Sequence, residues 1–448
     1  MITSMQSAQA DFADIVGAAG VVDVETARKA LAVDGIVPSC VVYPRTAEDV
    51  AAILKCAARH DLAVIPSRDA TKVAVGNLPR RYDVALSLNE MNNVWQYEPA
   101  DLTASVEGGM KFGDFQELLS RNGLWLPLDP SGGMRASIGG ILATNSSGPL
   151  RLFYGSPRDM VLGMKVATTE GKIIKTGGRV VKNVAGYDLT KLLLGSYGSL
   201  GVIVEANFKL FPLPAERATI VFRVPSISSA RDLRRRIMNS PLTPMRMVLL
   251  NAEAGAFLAG DKTTGVPNND MAMWVEAGGT KNVLDRYART FGEMATAAGV
   301  SINTCPQADT EITWSRIADF RSEFIKDNPD SLSLRASLPI ASTEEFVLRA
   351  EREAARTKSR MAFLAQTAAG VLHLHFFEVQ EVVNLIENLR AAAKELRGAL
   401  VVEGCSADLK GRVDVWGAPG NDFEVMRKIK QAWDPKGILA PGRFVGAL

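Results

Sequence analysis

Glycine and small hydroxyl residues are concentrated between residues 131 and 205. They recur in SGGMRASIGGILATNSSG (131–148), in YGSPRD (154–159) and in GRVVKNVAGYDLTKLLLGSYGSLGVIVE (178–205). Because glycine has no side chain, its backbone can approach a ligand closely, and successive N–H groups can cradle phosphate oxygens. One such loop is more often a tight turn of a β-rich domain. Several in one segment predict a site for a large cofactor that carries phosphate.

The common nucleotide-binding motifs are absent from these loops. None of them stands between a strand and a helix as G-x-G-x-x-G, and none is a G-x-x-x-x-G loop followed by the lysine of a P-loop. The usual dinucleotide folds are therefore disfavoured, and we expect a cofactor domain of another kind.

The pattern of elements divides the chain into two parts. A strand–helix–strand unit begins near Val41, and Thr46 with Asp49 predicts a capping box for its helix. Proline-flanked LFPLPAER (210–217) marks a domain boundary, as expected for a chain of 448 residues. Beyond it, strands and amphipathic helices follow the order β-α-β-β-α-β. This order predicts a ferredoxin-like antiparallel sheet with helices on one face. The sequence contains no close internal repeat.

Composition excludes several classes of protein. A formal charge of +2 gives no field that would attract nucleic acid. The four cysteines lie far apart, without the spacing of a zinc or iron–sulphur site, so no metal is expected. No apolar run approaches the ~20 residues that span a bilayer, and the N-terminus does not read as a signal peptide. The expected location is the cytoplasm, with any membrane association made through partner subunits.

A long continuous segment, ASIGGILATNSSG through EANFKLFP (136–212), resembles the FAD domain of the vanillyl-alcohol oxidase type flavoproteins. Within that superfamily, GRVVKNVAGYDLTKLLLGSYGSLG is most similar to the FAD-binding subunits of bacterial glycolate oxidases. In the tail, WDPKGILAPGRF (433–444) resembles the family's closing segment.

The resemblance implies an α+β fold with a two-part PCMH-type FAD-binding domain, a ferredoxin-like cap domain and a C-terminal tail that returns to the FAD domain. The corresponding boundaries are an N-terminal extension at 1–37, the FAD domain at 38–215, the cap at 216–423, and the helix and tail at 424–448.

The resemblance also implies which residues contact FAD. The pyrophosphate loop PSRDATKVAVG (66–76) departs from the glycine-rich pattern of relatives, which puts phosphate binding there in doubt unless Arg68 or Lys72 compensates by charge. No histidine is placed to hold FAD covalently, so the FAD is expected to be non-covalent. Asn183 and Tyr187 are weaker candidates. For Arg443, an exposed C-terminal arginine is an equal alternative. The predicted FAD contacts are Ser67, Arg68, Thr71, Lys72, Gly76, Ser137, Ile138, Gly139, Gly140, Thr144, Asn145, Gly148, Tyr154, Gly155, Gly201, Val202, Ile203 and Arg443.

Candidate catalytic residues lie in the cap. In VLHLHFF, His373 and His375 share one strand face, opposite the apolar residues, and the resemblance implies that this face looks toward the flavin. An imidazole suits removal of a hydroxyl proton, and Arg335 is the candidate for gripping a substrate carboxylate. The alternative is a half-exposed polar face with Arg335 in a surface ion pair. His60, at a helix end, is given little weight.

A metal-binding stretch of relatives, H-x-G-x-G-N-L-H, is only faintly present. Gln366 replaces its first histidine, and a later acid–histidine pair is represented by Glu403 and Cys405. A divalent metal is therefore not expected there.

Three hypotheses remain. The first is an FAD-containing subunit of a glycolate or D-lactate type 2-hydroxy-acid dehydrogenase, working with an iron–sulphur subunit and a second flavin subunit. The second is a stand-alone flavin oxidase or dehydrogenase on another alcohol or amine, and the third is a flavin-poor scaffold in a redox complex.

Overall fold

The computed structural model describes residues 2–178, 187–259, 271–305 and 307–448. Its helices are α1 (Ile2–Val16), α2 (Glu25–Ala30), α3 (Ala47–Arg59), α4 (Phe112–Ser120), α5 (Ile138–Ala143), α6 (Arg151–Tyr154), α7 (Pro157–Met160), α8 (Leu189–Leu193), α9 (Ile227–Met238), α10 (Ala252–Ala259), α11 (Lys281–Ala298), α12 (Gln307–Asp327), α13 (Thr343–Arg356), α14 (Val382–Glu395), α15 (Ala407–Lys410) and α16 (Phe423–Trp433). Its strands are β1 (Val21–Val22), β2 (Cys40–Val42), β3 (Val64–Ser67), β4 (Val84–Ser87), β5 (Val94–Glu98), β6 (Thr103–Glu107), β7 (Leu124–Trp125), β8 (Val161–Ala167), β9 (Ile173–Gly177), β10 (Val202–Lys209), β11 (Phe211–Pro212), β12 (Glu216–Val224), β13 (Arg246–Leu250), β14 (Met271–Gly279), β15 (Ser301–Cys305), β16 (Leu332–Ser337), β17 (Arg360–Gln366), β18 (Val371–Phe377) and β19 (Ala399–Gly404).

These elements form two compact units. The first, called here the FAD unit, comprises Met1–Ser146, Ser156–Leu213 and Ala418–Leu448, and the second, the cap unit, comprises Ser147–Gly155 and Pro214–Gly417. The boundaries expected at 215 and 423 therefore lie a few residues beyond the observed ones. The stretch expected as a separate N-terminal extension belongs to the FAD unit, because Ala8 and Phe12 of α1 are buried in its core.

Two sheets build the FAD unit. The first has the order β1-β2-β4-β3, with β2, β4 and β3 parallel, and α3 makes the crossover from β2 to β3. The predicted capping box is present, since Thr46 Oγ1 accepts from the Asp49 amide at 3.0 Å and the Thr46 amide donates to Asp49 at 3.1 Å. The second sheet is antiparallel, in the order β5-β6-β10-β8-β9. The loop that follows β3 and the loop that precedes β10 line much of the candidate site.

One eight-stranded antiparallel sheet forms the cap unit, in the order β15-β12-β14-β13-β17-β18-β16-β19. Its first four strands with α9 and α11, and its last four with α13 and α14, each follow the β-α-β-β-α-β order of a ferredoxin-like layer. The two halves join where Leu249 of β13 pairs with Ala365 of β17. The predicted layer is confirmed, and it occurs twice, a duplication of topology that was not predicted from the sequence.

Helices cover both faces of the cap sheet, whereas the sequence predicted helices on one face. The helices α9, α11, α13 and α14 pack on one side, and α10 and α12 pack on the other. The cause is that central strands are apolar on both faces: Leu249 faces the first group, while Val248 and Trp274 face the second.

Candidate functional site

A cavity in the FAD unit is the main candidate site. Its empty volume is about 900 Å³, including the part open to solvent, which is in the range of small-molecule sites. Four chain segments line it: the end of β3 with the loop after it, the segment around α5, the loop that enters β10, and the C-terminal tail. Segments far apart in sequence thus converge on one concave surface.

The glycines of this site are required mainly by backbone packing. A Cβ on Gly139 would lie 2.9 Å from the carbonyl oxygen of Gly108, and one on Gly201 would lie 2.5 Å from Val166 Cγ1. Gly140 differs, since the closest atom is Ser137 Oγ at 3.1 Å. The glycines therefore let α5 and the start of β10 pack closely, and this packing shapes the cavity wall.

Buried donors on the cavity wall fit an anionic ligand. Arg68 Nε and Ser131 Oγ both line the cavity and are buried without a hydrogen-bond partner among the described residues. The Arg68 guanidinium is paired with Asp69, and Lys72 Nζ donates to Ser146 Oγ. Unsatisfied buried donors are rare in folded proteins and call for a ligand or water. The loop after β3 thus supplies cationic side chains to the cavity wall, and a pyrophosphate fits this donor set.

Arg443 is an internal part of the FAD unit. Its side chain is only 6% exposed, and its guanidinium donates to the carbonyl oxygens of Val73 and of Val75, the latter at 2.7 Å. Burial lowers the pKa of Arg443 from its ordinary value. The alternative of an exposed C-terminal arginine is therefore wrong. The tail is hydrogen-bonded to the loop after β3 and lines the cavity. It therefore packs on the FAD unit, as expected.

Most predicted FAD contacts lie on the cavity wall, and the others do not. Gly76, Ile138 and Asn145 belong to the FAD unit but are outside the lining, while Gly148, Tyr154 and Gly155 belong to the cap unit. The predicted residues that line the cavity are Ser67, Arg68, Thr71, Lys72, Ser137, Gly139, Gly140, Thr144, Gly201, Val202, Ile203 and Arg443.

Of the weaker candidates, Tyr187 is 97% exposed, which argues against a buried contact, and Asn183 lies outside the described residues. Sequence reasoning missed Ser131, Tyr197 and Gly198, which also line the cavity. Each lies inside a quoted glycine-rich stretch, so a signal was available.

The cap unit holds the candidate catalytic side chains in one polar cluster. Glu403 of β19 pairs with Arg335 of β16 at 2.7 Å, lies 3.9 Å from Arg321 and lies 3.6 Å from His373 Nδ1. Burial alone would raise the pKa of Glu403, but His373, Arg335 and Arg321 outweigh it and hold that pKa well below its ordinary value. The cluster therefore contains an ionised carboxylate that orients both His373 and Arg335.

The two histidines differ in access. His373 keeps 22% of its side chain exposed, whereas His375 is 1% exposed and packs against the rings of Phe320 and Phe324 in α12. Its Nδ1 lies 2.8 Å from Ser333 Oγ. Burial, followed by the charges of His373 and Arg321, lowers the pKa of His375 well below 6.5. This burial argues against His375 as a proton acceptor for substrate, because α12 covers the ring.

The cavity of the FAD unit fits a phosphate-bearing cofactor, and the cap unit is a doubled ferredoxin-like sheet, as expected of a two-domain flavoprotein. Comparison with known families shows this class. Residues 38–177 match the family described as FAD binding domain, and residues 213–411 and 416–444 match the family described as FAD linked oxidases, C-terminal domain. The chain belongs to the FAD-linked oxidases, its cofactor is FAD, and it is an FAD-dependent oxidoreductase.

Alignments with individual relatives cover most of the chain. Glycolate oxidase subunit GlcD of Bacillus subtilis is 27% identical over 420 residues, covering 91% of this chain and 89% of that protein. A D-lactate dehydrogenase of Archaeoglobus fulgidus is 27% identical over 425 residues, covering 91% of each. Among solved structures, 4-ethylphenol oxidase from Gulosibacter chungangensis superposes with a TM-score of 0.77 at 16% identity, covering 99% of this chain and 97% of that one. This last likeness confirms the predicted fold.

Within the described ranges of the chain, no helix is long and apolar enough to cross a bilayer.

Proposed function

We propose that the chain is the FAD-containing subunit of a 2-hydroxy-acid dehydrogenase of the glycolate or D-lactate type. The observation that carries the proposal is the similarity, over 91% of the chain, to a glycolate oxidase subunit and to a D-lactate dehydrogenase. Glycolate and D-lactate both carry a hydroxyl next to a carboxylate. A site for them needs a proton acceptor for the hydroxyl and a cation for the carboxylate.

The FAD unit supplies the cofactor site of this proposal. Arg68 and Ser131 would donate to oxygens of the pyrophosphate, since their buried donors have no other acceptor among the described residues. When bound, FAD supplies the two-electron acceptor for the hydrogen on the substrate α-carbon. The described lining of the cavity contains neither histidine nor cysteine, which supports non-covalent binding.

The cap unit supplies the polar groups. His373 would take the hydroxyl proton, because it is the more exposed of the two cap histidines and Glu403 stands 3.6 Å from its Nδ1. Arg335 keeps 30% of its side chain exposed while Glu403 fixes its Nε, so the guanidinium is oriented before substrate binds. Its role as the carboxylate ligand rests on this orientation.

Electrons are proposed to leave through a partner iron–sulphur subunit, with a second flavin subunit in the complex. No disulfide joins any two of the four cysteines; Cys40 and Cys56 are buried, and Cys305 and Cys405 are partly buried. They do not form the set of four thiolates that an iron–sulphur cluster requires. The cysteines of this chain therefore supply no iron–sulphur cluster to carry electrons from the flavin to a one-electron acceptor.

The first test is the visible spectrum of the purified chain before and after acid precipitation. Flavin absorbance that moves to the supernatant supports non-covalent FAD. A colourless chain that takes up no added FAD would overturn the redox proposal and favour the scaffold.

The second test is anaerobic bleaching of the flavin by glycolate, D-lactate, L-lactate, 4-ethylphenol and a simple alcohol, followed by turnover with an artificial acceptor. Bleaching by glycolate or D-lactate supports the substrate class, whereas bleaching only by 4-ethylphenol or a simple alcohol would replace it with the stand-alone oxidase.

Variants assign the cap residues in the same assay. His373→Ala is expected to slow flavin reduction by about 10²–10⁴-fold, with partial rescue by added imidazole, as for loss of a general base. Arg335→Gln is expected to raise KM for the hydroxy acid more than it lowers kcat. Arg360→Gln, whose ion pair with Glu253 lies at another part of the same sheet, serves as the matched control and should react like the parent. Equal rates in all three variants would remove the cap cluster from the proposal.

A further inference from the structure

Three side chains of the FAD unit that the redox proposal does not use lie close together, with Cys56 buried and Asp11 and His60 partly exposed. Asp11 is on α1, Cys56 is on α3, and His60 is the C-cap residue of α3. One donor atom from each, Oδ2, Sγ and Nε2, lies within 4.8 Å of the other two. We propose that Asp11, Cys56 and His60 form a binding site for a divalent transition metal, with Zn²⁺ as the best-matched ion.

The helices place these donors on one side. Cys56 and His60 are four residues apart, so one turn of helix brings both side chains to the same face. Phe12 of α1 and Val50 of α3 are buried in a shared core, which fixes the two helices against each other. Asp11 therefore faces the Cys56–His60 pair from an independent element, and the three ligands do not depend on a single flexible loop.

The donor set and its spacing suit zinc. Zinc binds thiolate, imidazole and carboxylate at about 2.0–2.3 Å, so two ligand atoms in a tetrahedral site lie roughly 3.3–3.8 Å apart. Asp11 Oδ2 is 2.6 Å from His60 Nε2 and 3.8 Å from Cys56 Sγ. Small side-chain rotations separate the first pair to the required distance. The carboxylate and the thiolate together balance the two positive charges of the ion, and Asp11 keeps 34% of its side chain exposed for a water ligand.

Arg59 is the competitor for this site. Its Nη2 donates to Asp11 Oδ2 at 2.5 Å and to Cys56 Sγ at 3.7 Å, so it occupies the place of a cation. The Arg59 side chain is 65% exposed and can turn into solvent when the metal enters. Zinc binds cysteine as the thiolate, so metal binding forms the Zn–S bond as the S–H bond breaks, and the proton is released to solvent.

The test measures zinc in the full, untagged chain after chelator treatment. ZnCl₂ is titrated by calorimetry, and bound zinc is counted by elemental analysis. We expect one zinc per chain, and X-ray absorption should show one sulphur at about 2.3 Å. Asp11→Asn and Cys56→Ser are each expected to weaken binding by about 10–100-fold or more, since even outer-shell changes reach that range. Repeating the titration in two buffers should show proton release on binding.

Control variants separate a metal site from a simple ion-pair cluster. Arg59→Gln should tighten zinc binding by about two- to fivefold, because it removes a surface ion pair that competes with the metal. Cys40→Ser and His373→Gln should bind zinc like the parent. If Arg59→Gln weakens binding, if Asp11→Asn retains full affinity, or if no zinc binds above background, the proposal is overturned. Each result is independent of flavin reduction, so it stands apart from the proposed function.

Discussion

Replacing Lys430 by methionine is expected to loosen the C-terminal tail of the FAD unit. Lys430 lies in α16 and is 8% exposed, and its ammonium donates to the carbonyl oxygens of Ser199 and Leu439, both at 2.8 Å. It also pairs with Asp434 at 2.7 Å. This single cation therefore joins α16, the loop before β10 and the tail that carries Arg443.

The expected loss of stability depends on the Asp434 carboxylate, which the substitution leaves buried without its cation. Asp434 is 2% exposed, and besides Lys430 its carboxylate accepts from the Ile438 and Leu439 amides. Methionine fills the volume but leaves this carboxylate buried without its cation, which costs about 3–5 kcal/mol. In a unit of this size each kcal/mol lowers Tm by about 2–4 °C, so the expected loss is about 6–20 °C. FAD should be released in the same transition, because Arg443 lines the cavity.

The assay is a thermal scan that follows flavin fluorescence and circular dichroism together. Lys428→Met, at an exposed position of the same helix, is the matched control and should stay within about 0.5 kcal/mol of the parent. Lys430→Met combined with Asp434→Asn should lose less than Lys430→Met alone, because the unpaired charge is gone. A Lys430→Met protein that melts within 2 °C of the parent, where about 6–20 °C is expected, would refute this reasoning.

Three further outcomes are expected. Arg68→Gln should weaken FAD binding by about 10- to 150-fold and Ser131→Ala by about 2- to 13-fold, measured by flavin titration, because a charged donor contributes more than a hydroxyl; unchanged affinities would contradict the pyrophosphate assignment. Gly292→Ala in α11 should stabilise the cap unit by about 0.5–1 kcal/mol in a denaturant titration, since nothing lies within 4 Å of the added Cβ; destabilisation would contradict it. Glu403→Gln should destabilise the cap unit by about 1.5–3 kcal/mol at pH 7, because it removes the carboxylate that pairs with Arg335 and lies 3.9 Å from Arg321. The folded pKa of Glu403 is depressed, so its contribution is present above the unfolded pKa of about 4.3 and is lost as pH falls through the folded value. The parent's stability should therefore fall more steeply than that of Glu403→Gln in acid, and parallel pH profiles would contradict this.

Much of the FAD unit could be predicted because its signals are local. The capping box of Thr46 and Asp49 needs only residues three apart, and the apolar stripe of α3 follows the helical period. The glycine-rich stretches also gave a local signal for the cavity wall, because backbone that packs closely leaves no room for a Cβ. Gly139 and Gly201 are such positions.

In the cap unit, local sequence patterns did not predict which surfaces are covered by other elements. Alternation in β18 correctly placed His373 and His375 on one face, but the period of a strand does not say what covers that face. The covering helix α12 is contributed by a distant segment, so only the structure shows that His375 is enclosed and His373 is not. The doubled sheet was missed because two halves can share a topology without sharing residues.

The sequence by itself determined the elements, the boundary region near residue 213, the FAD-linked class and most residues of the cavity wall. Tertiary structure decided which side chains meet. Arg443 donates to carbonyl groups 368 and 370 positions away, and His60 meets Asp11 across 49 positions. The physical reason is that helix and strand periods are fixed by neighbouring residues, whereas burial and charge pairing depend on which distant surfaces pack together.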